Sequence, residues 1–339
     1  MEVNEEQLPS PEPQHITTFE DYLPKQQPPK AYVMPYLGQF GLLLGLIGGG
    51  LIVAAILSIL SVFLLGGNLS TLDKANLFKP ENATINKTLQ IVGTVCMFFL
   101  PPFFFALIAH KKPLTYLGFN KKISWQQIGL VIVIAFTGLF LSGALAEINE
   151  LIPISKGLRT YFKKLEDNYA EEMMAMVQMK TLADYLVSMV LIALAPAIVE
   201  EVFFRAGVQQ LFTNWFQKPW LAILVTSILF SAVHMSYFGF LPRAMLGAVL
   251  GLLFYYSKNI WTNILMHFLN NGIAVTQLYY ISTKGKLDKK ALDAMDEHFP
   301  IWLGAIALVA MIMWLYFFKR ESDKTLKNNT IVDAANTFA

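Results

Sequence analysis

The sequence predicts an all-α fold, a polytopic membrane helix bundle with about eight transmembrane helices. Of its 339 residues, 55% are hydrophobic and only 15% are charged, and the mean hydropathy is +0.48. Soluble domains carry about 25% charged residues. The apolar residues also occur in runs close to the ~20 residues that cross a bilayer. The chain is therefore predicted to be an integral membrane protein with several spans.

Eight apolar stretches follow one another along the chain. The sixth is short and comes almost directly after the fifth, so a broken or tilted pair is an alternative for these two. The stretches cover residues 39–65, 88–109, 127–146, 184–208, 219–240, 242–257, 260–281 and 300–318.

Two polar tails are predicted to flank one membrane domain, residues 36–319. Residues 1–35 are rich in Pro and Glu, and residues 320–339 in Asn and Lys, so neither has enough apolar surface to fold alone. Residues 147–183 mix charges with apolar residues at helical spacing, which predicts an amphipathic helix at the membrane interface.

The charge balance and the cysteine content exclude several partners. The formal net charge of +2 gives no reason to expect nucleic acid. The single cysteine, Cys96, rules out a disulfide within the chain and a cysteine-based metal site. The expected surroundings are the lipid bilayer, and counts of Lys and Arg on alternate sides do not settle the orientation.

The fourth stretch contains three ionisable residues: Glu200, Glu201 and Arg205. Each charge in hydrocarbon costs at least ~2.5–3.5 kcal/mol on insertion scales, so such a cluster indicates a functional site. Glu201 and Arg205 are spaced i,i+4, which predicts an ion pair. Glu200 is rotated by about 100° from Glu201 and is expected to face other spans.

Two further stretches place polar residues on single faces. Phe230 and His234 are spaced i,i+4 in the fifth, and His267 and Asn271 are spaced i,i+4 in the seventh. Polar residues in membrane bundles also serve as interhelical hydrogen bonds worth about 0.6 kcal/mol each, which is the alternative for each residue alone. Their concentration in three spans favours one shared site.

This set of residues favours hydrolysis of an acyl bond. A desolvated carboxylate beside an imidazole can activate water as a general base, because burial raises the carboxylate pKa towards neutrality. A second histidine with an amide one turn away offers donors that suit an oxyanion.

The signatures of other intramembrane hydrolases are absent from the sequence. No histidine is followed by glutamate, so HExxH does not occur, and neither GxGD nor GxSxG is present. Glu200, His234 and His267 are permitted zinc ligands, so a divalent metal such as zinc stays open, although the spacing does not require one. No cofactor is expected.

Three motifs occur in order. EExxxR is matched by Glu200 to Arg205, FxxxH by Phe230 to His234, and HxxxN by His267 to Asn271. Over residues 184–281, taken as the catalytic core, the chain resembles the CPBP family. This Abi-like family of intramembrane glutamic endopeptidases includes type II CAAX prenyl proteases and bacteriocin-processing enzymes.

The resemblance implies roles for these residues. Glu200 and His234 would activate the attacking water, and His267 with Asn271 would line the oxyanion site. Glu201, Arg205 and Phe230 would organise the motifs. The expected substrate is a peptide or lipidated protein within the membrane, either a prenylated CAAX protein or a bacteriocin-type peptide. The resemblance also implies a cleft that opens to the cytosol, with both termini cytoplasmic.

Two other functions stay open. The same scaffold would serve a catalytically silent binding, immunity or regulatory protein, and a transporter is a further alternative without an evident internal repeat. The depths of the site residues are a point to check. Counted from the predicted inner ends, Glu200 lies about nine residues deep and His234 about sixteen.

Overall fold

The computed structural model describes residues 34–119, 122–176, 179–284 and 299–337. Most of the predicted N-terminal tail, residues 1–33, lies outside this range. From Met34 onward the chain forms one compact unit. Its longer helices are α1 (Tyr36–Leu64), α2 (Ala83–Ala109), α3 (Trp125–Leu151), α4 (Lys156–Met176), α5 (Leu182–Phe216), α6 (Pro219–Ala232), α7 (Phe240–Ser257), α8 (Ile260–Lys284) and α9 (Ile301–Thr337).

The all-α membrane bundle is confirmed, but the count of eight spans is not. In the described part of the chain, 6 helices are long and apolar enough to cross a membrane: α1, α2, α3, α5, α7 and α9. Helix α6 has 14 residues and is too short to qualify. Helix α8 has 25 residues but interrupts its apolar sequence with the polar side chains that form the site described below.

Helices α2 and α5 contain wider, π-helical turns. They lie at Val95–Phe99 in α2, and at Met189–Leu194 and Val202–Gln209 in α5. Pro101 and Pro196 follow the first two. Proline lacks the N–H that an α-helix needs, so a wider turn just before it keeps the helix continuous. The third turn begins directly after Glu201.

The predicted fifth span is shorter than expected at its C-terminal end. Helix α6 stops at Ala232 rather than near residue 240, and Met235 has a φ of 51°. This left-handed residue ends the helix by turning the chain towards α7. His234 therefore lies in a turn after α6, and not within a helix as the i,i+4 spacing had predicted.

The region predicted to be a polar C-terminal tail, from residue 320, instead continues α9 to Thr337. Ser322 is completely buried, and Gln127 Nε2 of α3 donates a hydrogen bond of 3.0 Å to its hydroxyl. Contact with α3 thus supplies the burial that the segment lacks alone.

The predicted interfacial helix is present as α4 and packs on the turn after α6. The rings of Phe162 and Tyr237 are stacked with centroids 5.0 Å apart. Ser236 donates a 2.5 Å hydrogen bond to Glu166, and Asn149 at the end of α3 donates one of 2.9 Å to the carbonyl of Tyr237. These contacts hold residues 233–239 between α3 and α4.

The start of α1 and the C-terminal part of α9 lie at the opposite end of the bundle from this turn. Phe40 of α1 contacts Trp215 near the end of α5, with ring centroids 5.8 Å apart. Ser322 of α9 contacts Gln127 in the first turn of α3. The turn, by contrast, packs on Asn149 near the end of α3. The bundle therefore has a chain-end face and a turn face.

Candidate active site

The ion pair predicted from the i,i+4 spacing is present at the centre of the bundle. Arg205 Nε lies 3.1 Å from Glu201 Oε2, and both side chains are essentially inaccessible. The guanidinium also donates a 3.3 Å hydrogen bond to the carbonyl of Gly247 and lies 4.6 Å from the centroid of the Phe230 ring. Pairing of this kind compensates the cost of burying two charges.

His267 lies between the two neighbouring glutamates. Its Nδ1 is 2.8 Å from Glu201 Oε1, and its Nε2 is 3.9 Å from Glu200 Oε2. A carboxylate oxygen accepts hydrogen bonds, so Nδ1 of His267 carries the proton that it donates to Glu201. Nε2 of the neutral ring is then an acceptor that faces Glu200. Glu201 thus fixes the tautomer and orientation of the imidazole.

Glu200 has an oxygen without a hydrogen-bond partner. Its side chain is 19% exposed, yet Oε2 is buried and accepts no hydrogen bond from any described residue. Buried polar atoms are nearly always satisfied by protein or water. The 3.9 Å separation from His267 is too long for a direct bond and allows one water to contact both groups.

His234 lies in the turn that follows α6, and its side chain is exposed in the unit described. Its Nδ1 is 2.7 Å from the carbonyl of Phe230, so Nδ1 donates and Nε2 is free to accept. The Phe230 ring lies between the two imidazoles, with its centroid 5.1 Å from that of His234 and 5.9 Å from that of His267. Glu200 and His234, both described, form no ion pair within 4.0 Å.

The expected mismatch in depth does not occur. Helix α5 extends to Phe216, so Glu200 lies 16 residues before its end, and His234 lies 15 residues after Pro219. At 1.5 Å per residue these positions are about 24 and 22 Å from the chain-end face. The mismatch had come from placing the end of α5 at residue 208.

Asn271 stands apart from the other predicted residues. It is half-buried, one turn after His267, and its Oδ1 accepts a 3.4 Å hydrogen bond from Asn270. No hydrogen bond joins it to Glu200, His234 or His267, all of which are described. Its oxyanion role stays a prediction.

Asn263 belongs to the cluster but was not predicted. Its buried Nδ2 donates to Glu201 Oε2 at 3.3 Å and to the carbonyl of Leu250 at 2.6 Å. A signal was available in the sequence, because Asn263 precedes His267 by one helical turn and shares its face.

The zinc ligation left open for Glu200, His234 and His267 stays a prediction. Among the described residues, no group of three or more His, Cys, Asp or Glu side chains is placed to hold a metal ion. The hydrogen bonds at Nδ1 of His267 and of His234 leave both Nε2 atoms free, so they do not by themselves oppose a metal. The expectation that no cofactor is needed stays a prediction.

A cavity of about 1070 Å³ opens beside the cluster at the turn face. Glu200, His234, His267 and Asn271 do not line it. Two residues connect its wall to the cluster. Ser236 follows His234 by two residues, and Asn270 is next to Asn271. The remaining wall comes from the last turns of α3, from α4, from the start of α7 and from α8. This position suits a substrate entrance.

The orientation in the membrane stays a prediction. A cytosolic cleft was expected together with cytoplasmic chain ends. The cavity lies at the turn face, whereas the start of α1 and the C-terminal part of α9 lie at the other face.

Comparison with known protein families adds an independent observation. Residues 182–273 match the family described as type II CAAX prenyl endopeptidase, Rce1-like. We call residues 182–273 the Rce1-like segment after this similarity. It covers about a quarter of the chain and contains all three sequence motifs, from Glu200 to Asn271. The resemblance to the CPBP and CAAX protease family is therefore confirmed for the Rce1-like segment. No curated protein and no solved structure matches the chain.

Proposed function

We propose that the protein is an intramembrane endopeptidase that hydrolyses a peptide bond of a membrane-associated substrate with a water activated by glutamate and histidine. The Rce1-like segment supports a CAAX-type protease at the level of the family. The observation that carries the proposal is the unpartnered, buried Oε2 of Glu200 facing Nε2 of His267.

In the proposed mechanism Glu200 is the general base. A water held between Glu200 and His267 gives its proton to Glu200 as its oxygen attacks the scissile carbonyl. The low dielectric around the cluster strengthens each of these interactions. Glu200 then returns the proton to the amine that leaves.

The histidines complete the site. His267, oriented by Glu201, holds the water through Nε2. His234 is exposed in the turn beside the cluster, which suits a group that contacts substrate. The oxyanion would form towards the amide Nδ2 of Asn271, because Nε2 of His234 is an acceptor in the tautomer described.

The test is cleavage of a quenched fluorescent peptide by the purified protein in lipid nanodiscs. The peptide carries a cysteine near its C-terminus, with and without a prenyl group. We expect Glu200→Gln to lower kcat by about 10²–10⁴-fold, the usual contribution of a general base. Glu81→Gln, the same change at an exposed position, is the matched control and is expected to retain full activity.

Full cleavage by folded Glu200→Gln protein would overturn the proposal. The competing function, a binding or immunity protein on this scaffold, predicts a different pattern. Such a protein would still protect cells or bind its partner after both Glu200→Gln and His234→Ala.

A further inference from the structure

Arg243 is a cation that the proposed mechanism does not use. It lies in the first turn of α7 and lines the cavity at the turn face. Its Nη1 is buried and has no hydrogen-bond partner among the described residues. No carboxylate in that part of the chain forms an ion pair with it. A guanidinium presents five donors in a fixed fork, so an unused buried Nη1 is a binding position for an acceptor.

The local backbone makes room for this side chain. The guanidinium lies over Gly239, where a Cβ would overlap Nη1. Gly239 has a φ of −92°, which any residue can adopt. A side chain added at Gly239 would displace the flexible end of Arg243 and not backbone, so the glycine leaves the guanidinium its place in the cavity wall.

Arg243 is also close to the reacting groups. Its Nη1 and the hydroxyl of Ser236 both lie against Gly239. The cavity wall joins it to Ser236, which follows His234 by two residues, and to Asn270 of α8. A group bound at Arg243 would thus lie beside the cluster and within the cavity.

The charges around Arg243 favour an anion. Glu166 of the cavity wall accepts a hydrogen bond from Ser236, and Asp167 pairs with Lys163 at 3.5 Å. Together with Glu150 the wall contains three acidic side chains, against five basic ones. The basic residues are Lys156, Arg159, Lys163, Lys164 and Arg243.

We propose that Arg243 binds a carboxylate of the peptide substrate and thereby fixes the position of the scissile bond. The inference rests on the proposed function and deepens it. Arginine binds carboxylates through two parallel hydrogen bonds, which gives orientation as well as affinity. The carboxylate has two sources, the C-terminus of the peptide or an acidic side chain within it.

Four versions of one fluorescent peptide separate these sources: a C-terminal acid or amide, each with an internal Asp or Asn. We expect Arg243→Gln to raise KM about 10- to 100-fold for the peptides that carry the recognised carboxylate, as for loss of a charged hydrogen bond. KM for peptides that lack it should be unchanged. Arg243→Lys should restore part of the preference. Lys218→Gln removes the same charge at the opposite face and should leave the preference intact.

A second variant covers the case in which Arg243→Gln does not fold. Gly239→Ala keeps Arg243 but displaces its guanidinium, and it should weaken the same peptides. The inference would be overturned if Arg243→Gln, or Gly239→Ala, changed KM by the same factor for all four peptides.

Binding separates this inference from the proposed function. The anisotropy of the four peptides is measured with Glu200→Gln protein, which should bind without cleaving. The Glu200→Gln protein should bind the peptides with the carboxylate more tightly, and adding Arg243→Gln should abolish this preference. That result supports the inference even where wild-type protein cleaves nothing. Cleavage by wild-type protein with no such preference overturns the inference and leaves the endopeptidase standing.

Discussion

The buried pair of Glu201 and Arg205 shows how one residue holds several others. Glu201 contacts Arg205, His267 and Asn263 through its two oxygens. Loss of any one of these partners leaves part of a buried carboxylate uncompensated. The carboxylate therefore positions the imidazole only while the arginine is present.

We expect Arg205→Met to destabilise the protein by about 3–5 kcal/mol, because it leaves Glu201 as a buried charge without its partner. Lys163 and Asp167 form an i,i+4 pair at the surface, where the lysine side chain is 54% exposed. Lys163→Met should cost less than about 1 kcal/mol. Thermal unfolding in detergent micelles measures both. Similar losses for the two variants would contradict the structural role given to Arg205.

At the scale of the residue, sequence reasoning found what spacing along one helix determines. The i,i+4 rule predicts the pair of Glu201 and Arg205 without knowledge of the fold. It does not predict that His267 binds Glu201, because that contact joins two helices whose relative rotation depends on packing. Arg243 was inconspicuous for a similar reason. In the sequence it is a charge between two spans, and only the cavity shows that it lacks a partner.

At the scale of the element, α1 approaches α2 closely at one glycine. A Cβ at Gly50 would overlap the carbonyl oxygen of Cys96, which lies in the wide turn of α2. Backbone cannot move aside as a flexible side chain can. Neighbouring Gly49, by contrast, has no heavy atom within 4 Å of its Cβ position.

Gly50→Ala is expected to lower the free energy of unfolding by about 1–3 kcal/mol through overpacking. Gly49→Ala makes the same chemical change one residue earlier and should be neutral or slightly stabilising, since alanine favours the helix. Melting temperatures of the two variants, measured side by side in detergent, give the comparison. A larger loss for Gly49→Ala would mean that α1 is rotated from the position described.

The ends of the elements were harder to predict than their existence. Each of the eight apolar stretches corresponds to a helix, but α6 ends early at Ala232 and α5 runs on to Phe216. Hydropathy records where apolar residues occur, and His234 lies among them. The left-handed Met235 that terminates the helix carries no signal in composition, because methionine is not a residue typical of that conformation.

At the scale of the whole molecule, the bundle separates its chain-end face from its turn face. Cys96 is the single cysteine and is 3% exposed, so Cys96→Ser gives a background for labelling. We expect cysteines placed at Lys163 and Lys218 to react with a membrane-impermeant maleimide from opposite sides of sealed vesicles. Both should react after the vesicles are permeabilised.

Labelling of both positions from one side would contradict the arrangement of the helices. Labelling from opposite sides also fixes the orientation that charge counts leave open. Under the proposed function, position 163 marks the side from which substrate enters the cavity.

The wide turns of α5 allow the number of residues in this helix to change by one without rotating its two ends against each other. A π-helical turn holds one residue more than an α-helical turn, and one residue corresponds to about 100° of rotation. Deletion of a single residue from Met189–Leu194 would restore the α-helical repeat there. Every letter of the three motifs would survive, and the first turns of α5 would keep nearly the same face towards α8, because the wide turn only absorbs the extra residue. A natural variant with this deletion would therefore keep both its motifs and its packing face, and would lose only the wide turn.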